Sequence, residues 1–250
     1  MRQRGTVGCI RRSLFARVPG TLLDTTPPMT PRAEQKLQTR QALMNAALEL
    51  MDSGRGFGSL SLREVARCAG IVPTGFYRHF SDMDALGLAL VEEVGETFRV
   101  TLRQVRHNEF VLGGLVEAST RIFLDAVEAN HGQFLFLARE QYGGSQPVRQ
   151  AIASLRQRIT DDLSADLRLM NRMPQLSPEG LDLVSDLVVK TVFATLPELM
   201  DPTADSVPEH LRPRAKITQQ LRFIMIGGKH WEGPTDDEPQ NSAALPEAHQ

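Results

Sequence analysis

The chain has 250 residues, of which 41% are hydrophobic, and its formal net charge is −2. This apolar content is sufficient for a packed core and excludes a chain that is disordered throughout. No apolar run approaches the roughly 20 residues that a membrane-spanning helix needs, so no membrane partner is expected. The two cysteines, Cys9 and Cys68, are isolated, which excludes a disulfide framework and a cysteine zinc site, and favours a cytoplasmic protein.

The N-terminal segment is basic. Residues 1–28 carry five arginines against Asp24, show no hydrophobic periodicity and end in two prolines. They lack the apolar segment of a secretory signal. We therefore predict that residues 1–30 are a disordered basic arm, or a start-site artefact if Met29 is the true start.

Positive charge continues beyond this arm. Residues 29–81 hold seven Lys or Arg against four acidic residues, whereas the remainder of the chain, 82–250, is acidic. This asymmetry favours a polyanionic partner at the N-terminal end, although ordinary solvated charge would give the same counts.

A helical pattern begins at Pro31, and its apolar residues fall on one face: Leu43, Ala46, Ala47, Leu50 and Met51. The stretch SGRGFGS at 53–59 ends this helix. Ser61 and Glu64 form an S-x-x-E capping box, which predicts that a second, short helix starts at Ser61. Gly70 is suited to the left-handed position that ends it.

Pro73 fits the first turn of a third helix, where its missing N–H would be unpaired in any case. Phe76 and Phe80, four residues apart, are predicted to face the core. The remaining faces carry Thr74, Gly75, Tyr77, Arg78 and His79. Two short helices joined by a Gly turn after a longer helix predict a helix-turn-helix over residues 31–82, which we call the head.

The remainder of the chain is predicted to be helical, with helices at 83–107, 111–129, 132–141, 146–171, 178–199 and 209–230. The fold class is therefore all-α, with about nine helices in total. We call residues 83–231 the body and assign to it ligand binding and dimerisation. The polar, Pro-containing segment 232–250 is predicted to be a disordered tail.

Catalytic and metal-binding patterns are missing from the sequence. The six histidines include no i, i+4 pair and no H-E-x-x-H. The chain also lacks G-x-S-x-G, a P-loop and G-x-G-x-x-G. We therefore expect neither an enzyme nor a bound metal or cofactor.

The short third helix instead carries donors suited to phosphate oxygens: the Tyr77 hydroxyl, the His79 ring and the Arg78 guanidinium. Gly75 would allow a close approach to a DNA groove. A helical hairpin that uses Tyr77 and His79 only as amphipathic caps is the alternative.

The stretch SLREVARCAGIVPTGFYRHFSDMDAL resembles the DNA-binding domain of the TetR family of transcriptional regulators. The residues that fill the family pattern are Ser61, Val65, Ala66, Ala69, Gly70, Gly75, Tyr77, His79 and Phe80. The resemblance implies a homodimer on a palindromic double-stranded DNA operator. The DNA-binding residues that it implies are Thr39, Ser61, Thr74, Gly75, Tyr77, Arg78 and His79. The first of these, with Tyr77 and His79, would contact phosphates, and Thr74, Gly75 and Arg78 would lie nearest the bases.

One departure from the family pattern follows Phe80. Most members have a Ser-Lys pair there, whereas this chain has Asp82 and Met83. Asp82 remains able to cap the next helix, but Met83 has no charge for a phosphate.

A narrower likeness extends into the body. The segment FYRHFSDMDALGL at 76–88, together with F-L-ARE-GGS at 134–145, resembles the FabR/DesT-type repressors of unsaturated fatty acid synthesis. This implies a long-chain acyl-CoA or acyl-carrier thioester as effector, bound in a helical body.

Several body residues could line an apolar tunnel or simply form the core, and we predict as ligand-binding Phe123, Val127, Phe134, Phe136, Leu137, Arg139, Val188, Val192 and Phe193. Arg139 with Glu140 is a candidate polar gate or structural latch. Apolar stripes containing Leu181 and Val184, then Ile217 and Leu221, predict the dimer interface on the last two long helices.

Two alternatives stay open at this point. The first is a TetR-family regulator of an efflux or catabolic operon that senses another apolar ligand. The second is a helical acyl-CoA-binding carrier or enzyme whose head is only structural.

Overall fold

The computed structural model describes residues 30–107, 115–171, 173–201, 208 and 212–231. The predicted arm and tail lie outside these residues, except for Thr30. Within them the chain forms α-helices and one short 3₁₀ helix and no strand, which confirms the all-α fold. The described part contains no helix that is both long and apolar enough to span a membrane.

Nine α-helices are described. The predicted helix starts at 111 and 209 lie outside the described residues, and the other predicted bounds from residue 83 onwards agree to within two residues. The nine helices are α1 (Pro31–Asp52), α2 (Leu62–Cys68), α3 (Pro73–Phe76), α4 (Met83–His107), α5 (Leu115–Ala129), α6 (His131–Glu140), α7 (Gln146–Leu169), α8 (Pro178–Leu199) and α9 (Pro213–Lys229). The 3₁₀ helix (Phe57–Ser59) lies between α1 and α2.

Local signals start and end α2 as predicted. The Ser61 hydroxyl accepts a bond from the Glu64 N–H, and the Glu64 carboxylate accepts one from the Ser61 N–H, so the capping box is complete. Hydrogen bonds from Arg55 and Ser61 to the Glu64 carboxylate lower its pKa to about 2. Gly70 follows α2 with a φ of +73°, a left-handed conformation that suits glycine. The third helix is shorter than predicted: α3 ends at Phe76, and Tyr77, Arg78 and His79 lie in the turn that follows it.

One hydrophobic core runs through head and body, from Leu43 of α1 to Leu221 of α9. The long helix α4 packs against α1 in the head and against α5, α6 and α7 in the body. Because α4 starts directly after the head and packs against α1, one continuous helix connects the head with the interior of the body.

The C-terminus of α6 is bonded to the backbone of the head, in a contact that we call the latch and define as Arg139 and Glu140. Arg139 Nη1 donates to the carbonyl oxygens of Met51, at 2.6 Å, and Arg55, at 3.1 Å. The buried carboxylate of Glu140 accepts from the Phe57 N–H at 2.9 Å. The latch interpretation of these two residues therefore agrees with the structure.

The turn after α6 is shaped around the latch. A Cβ atom on Gly143 would collide with the Glu140 carboxylate, so the glycine leaves the space that the carboxylate occupies. Ser145, at the end of the turn, donates to Asp84 at the start of α4 over 2.7 Å. The sequence R-E-x-x-G-x-S at 139–145 thus supplies three parts of the contact between α6 and its neighbours: the two latch residues, the glycine that leaves space for the carboxylate, and the serine that bonds to α4.

A second polar contact joins the start of α6 to the head. The Glu93 carboxylate of α4 accepts from the Gln41 amide of α1 and from the Gln133 amide of α6, each at 3.1 Å. Gln133 also accepts from the Thr97 hydroxyl. Burial raises the pKa of Glu93, and the two amide donors partly oppose that shift.

The apolar stripes that were predicted to form the dimer interface are buried inside the single chain. Leu181, Val184, Ile217 and Leu221 are buried within the chain, because α8 packs against both α7 and α9. Apolar side chains that remain exposed on these two helices are Leu183, Leu187, Phe223 and Ile226. The stripes therefore form the internal contact of the two helices, and other residues are exposed.

Replacing Glu140 by Ala should destabilise the fold, because it leaves the buried Phe57 N–H without an acceptor. We expect a loss of about 1–3 kcal/mol in the free energy of unfolding, measured by urea titration at one protein concentration. Glu140→Gln keeps an acceptor oxygen and should lose clearly less. Equal unfolding midpoints for wild type and both variants would show that the latch contributes nothing to stability.

Candidate DNA interface and ligand cavity

Two buried rings hold α3 and the turn after it, residues 73–80, against the rest of the head. Phe76 and Phe80 are buried, with ring centroids 5.6 Å apart, and Arg40 of α1 lies over the Phe80 ring at 4.3 Å. Burying this face leaves the opposite one in solvent, where Thr74 and Arg78 are exposed. Tyr77 is 63% exposed, so its hydroxyl is accessible to an external partner.

His79 lies at the centre of a cationic cluster formed with Lys36, Arg40 and Arg78. Burial lowers the pKa of His79, and the three neighbouring positive charges lower it further. Its Nδ1 atom is buried without a hydrogen-bond partner, whereas its carbonyl oxygen accepts from Arg40 Nη1 at 3.2 Å. Such a cluster repels a proton but attracts an anion.

Of the three other predicted DNA contacts, Gly75 lies half-buried in α3, and the remaining two have internal hydrogen bonds. The Ser61 hydroxyl belongs to the capping box, and the Thr39 hydroxyl donates to the Gln35 carbonyl oxygen at 2.8 Å. Ser61 is exposed and Thr39 half-buried, so an external oxygen can still reach them. Sequence reasoning missed Lys36 and Arg40, which α1 brings to the third helix from far along the chain.

The residues after Phe80 behave as the sequence suggested. The Asp82 carboxylate accepts from the Ala85 N–H at 2.7 Å and so caps the start of α4. Asp82 therefore stabilises this end of α4. Met83, at the position where the family pattern has a lysine, supplies no charge for a phosphate.

The body contains an apolar cavity of about 150 Å³, partly open to solvent and lined by residues of α4, α5, α7, α8 and α9. Four predicted ligand residues line it: Phe123, Val188, Val192 and Phe193. Lining residues that were not predicted are Phe98, Thr101, Ser119, Thr120, Ile159, Leu163, Val189 and Leu221. Several of these sit on α4 and α7, whose inner faces the sequence did not identify.

The cavity wall presents almost no polar group to a ligand. Thr101 and Thr120 donate to carbonyl oxygens one turn earlier in their own helices, at 2.8 and 2.7 Å. The rings of Phe98 and Phe193 stack at 5.7 Å. None of the lining residues is charged, so the arrangement suits a neutral apolar ligand or the apolar part of a larger one.

The other predicted ligand residues do not line the cavity, and each is buried or bonded elsewhere. Phe134 lies behind the wall, with its ring 5.4 Å from Phe98 and 6.0 Å from Phe123. Phe136 instead contacts Phe57 of the head edge to face at 5.5 Å, and Arg139 belongs to the latch. The buried residues that remain are Val127 and Leu137.

No group of three or more His, Cys, Asp or Glu residues in the described ranges is placed to hold a metal ion. The geometry that stands out there is a cationic head surface and an apolar body cavity.

Two family descriptions match the chain in these two regions. Residues 43–90, which include the helix-turn-helix, match the family "Bacterial regulatory proteins, tetR family". Residues 112–227, which include most of the cavity wall, match "Tetracyclin repressor-like, C-terminal domain". Together the two matches cover more than half of the chain.

Solved structures with a similar fold are regulators of this type. A TetR-family regulator from Syntrophomonas wolfei has a TM-score of 0.64 at 14% identity, covering 77% of this chain and 97% of its own. The fatty acid degradation regulator FadR from Bacillus halodurans has a TM-score of 0.59 at 14% identity, with 80% and 98% covered.

A third similar structure is the regulator FadR from Bacillus subtilis in complex with stearoyl-CoA, with a TM-score of 0.57 at 13% identity and 75% and 98% of the two chains covered. At these identities the structural likeness supports the fold, and the two matched regions supply the family. The chain belongs to the TetR family of DNA-binding transcriptional regulators.

Proposed function

We propose that the protein is a dimeric repressor of genes for fatty acid desaturation, and that a long-chain acyl-CoA sets its affinity for operator DNA. The observation that carries this proposal is the apolar cavity, whose wall includes Phe98 of α4, the helix that continues directly from the head. A ligand that displaces this wall therefore acts on the element that positions the head.

The surface around the third helix supports the DNA part of the proposal. The exposed Tyr77 stands beside the cationic cluster in which Lys36, Arg40 and Arg78 surround His79. Phosphates position a protein on the duplex, whereas side chains at the start of a recognition helix read base edges. The exposed Thr74 lies at that start.

Exposed apolar side chains on α8 and α9 support the dimer. Leu183 and Leu187 lie one turn apart on α8, and Phe223 and Ile226 one turn apart on α9. Two copies of such a helix pair form a four-helix interface, which places two recognition helices on one palindromic site.

An acyl chain suits the cavity in chemistry but not in its present volume. A cavity of 150 Å³ is the size of one that accommodates benzene, so a long acyl chain requires the surrounding helices to separate. Among the structurally similar regulators, FadR from Bacillus halodurans is a fatty acid degradation regulator, and FadR from Bacillus subtilis is bound to stearoyl-CoA.

The mechanism that we propose is linkage between two conformations. An acyl-CoA that binds an expanded body more tightly than the compact one shifts the population towards the expanded form. This shift changes the spacing of the two heads and therefore the affinity for the operator. By linkage, the operator changes the affinity for acyl-CoA by the same coupling free energy.

The small volume and uncharged wall also favour a second candidate, a TetR-family regulator of an efflux or catabolic operon that senses a compact neutral ligand. Such a ligand fills the cavity without a large separation of helices. The two candidates differ in the ligand and share the DNA-binding head.

Tyr77→Phe should weaken binding to all DNA sequences by a similar factor, because it removes a phosphate donor and no base contact. Arg78→Ala should weaken binding and also relax base preference, by about 1–3 kcal/mol at one position. Both effects are measured by gel shift on a set of single-base operator variants. Tyr142→Phe, which alters an exposed tyrosine of the body, is the matched control, and unchanged affinity in the Tyr77 variant would contradict its assignment.

Operator affinity should increase as the pH falls from about 8 to about 6. The free protein holds the pKa of His79 below its ordinary value of 6.5, and a bound phosphate raises it, so binding takes up a proton. The gain in operator affinity begins as the pH falls below the pKa of His79 in the complex. It is complete when the pH is below the pKa of His79 in the free protein. His79→Gln should flatten this dependence and His131→Gln should not; an identical pH profile in the His79 variant would refute the role.

Long-chain acyl-CoAs should change operator affinity several-fold, whereas coenzyme A without an acyl chain should have no effect. Fluorescence anisotropy of labelled operator during titration with palmitoyl-CoA and oleoyl-CoA measures this. Val192→Trp fills the cavity and should remove the response while operator binding remains. If no thioester acts but a small neutral apolar compound does, the second candidate replaces the first.

A further inference from the structure

We propose that Val72 determines part of the operator sequence by contacting the methyl group of a thymine in the major groove. This inference rests on DNA binding by the head and is independent of the acyl-CoA proposal. The side chain of Val72 can form no hydrogen bond, and Val72 was not among the DNA-binding residues predicted from the sequence.

Val72 occupies the position immediately before α3, with an extended backbone at φ −71° and ψ 145°. A polar residue is preferred at this position because its side chain caps the helix. Val72 makes no such bond, and its side chain is 67% exposed. The residue therefore stabilises neither the helix start nor the core.

The side chain of Val72 lies next to Gly75 on the surface of the head. A Cβ atom at Gly75 would lie 3.8 Å from Val72 Cγ2 and 3.6 Å from Ile71 Cδ1. The valine methyl groups therefore stand beside the one position of α3 that has no side chain. This is the surface that we assigned to the closest approach to the bases.

The chemistry of this corner is apolar. Pro73 follows Val72, is exposed, and has no backbone N–H to donate. The major groove presents one apolar group, the C5 methyl of thymine, and apolar side chains are its usual contacts. Residues at the N-terminal end of a recognition helix are the ones that reach base edges.

The expected size of the contact follows from the burial of one methyl-sized group. Such a burial changes an equilibrium constant about four-fold. An exposed valine in a surface of this kind is by itself ordinary, so the test must detect the methyl contact and not merely a loss of affinity.

The experiment uses full-length protein and operators selected from a random DNA library. Each thymine of the best operator is replaced singly by uracil, which removes the C5 methyl and keeps the hydrogen-bonding groups. For the wild type, uracil at one position of each half-site should reduce affinity about four-fold. Val72→Ala should bind the thymine and uracil operators equally.

Two further variants separate base reading from folding. Val72→Ser supplies a capping hydroxyl, so it keeps α3 stable while it removes the methyl groups, and it should also lose the distinction between thymine and uracil. Leu169→Ala is the control, because it shortens an apolar side chain that is 84% exposed at the end of α7. This variant should distinguish thymine from uracil as the wild type does. If no uracil substitution separates the wild type from the Val72 variants, the inference is overturned.

Discussion

The bonds between the C-terminus of α6 and the backbone of residues 51–57 are the constraint on which the arrangement of head and body depends. Two charged side chains donate to or accept from three backbone groups that belong to the end of α1 and the following turn. Hydrogen bonds to charged groups are stronger than neutral ones, and a buried group left without its partner is costly. The helix α6 therefore cannot move by itself: it either carries the head along or loses these bonds.

The other end of α6 is connected to the cavity. Phe134 contacts Phe98 and Phe123 of the cavity wall, and the adjacent Gln133 bonds to Glu93, which is also bonded to Gln41 of the head. A short helix thus contacts the cavity wall at its start and the head at both ends. This arrangement gives a physical basis for linkage, since a change in the cavity wall alters contacts that hold the head.

The parts of the fold that the sequence predicted are those that depend on nearby residues. The capping box of Ser61 and Glu64, the left-handed Gly70 and the cap at Asp82 each act within a few residues, so their patterns were sufficient. Cavity residues were only partly predicted. Phe134 and Phe136 are two apart on one helix and so face different sides: one is behind the cavity wall and the other is against Phe57. Hydrophobicity alone does not distinguish the two sides.

The same limit explains Lys36 and Arg40, which reach His79 only because α1 packs beside the third helix. It also explains the exposed apolar residues of α8 and α9. Both helices have apolar residues on more than one face, and only the packing of α8 between α7 and α9 decides which face is buried.

The central claim is that the cavity and the DNA-binding head are thermodynamically coupled through α6. The most direct test is isothermal titration of palmitoyl-CoA into the free protein and into its operator complex. The account predicts two different dissociation constants for the wild type, and a ratio closer to one for a variant without the latch carboxylate, because linkage is reciprocal. Equal dissociation constants with and without DNA in the wild type would contradict it.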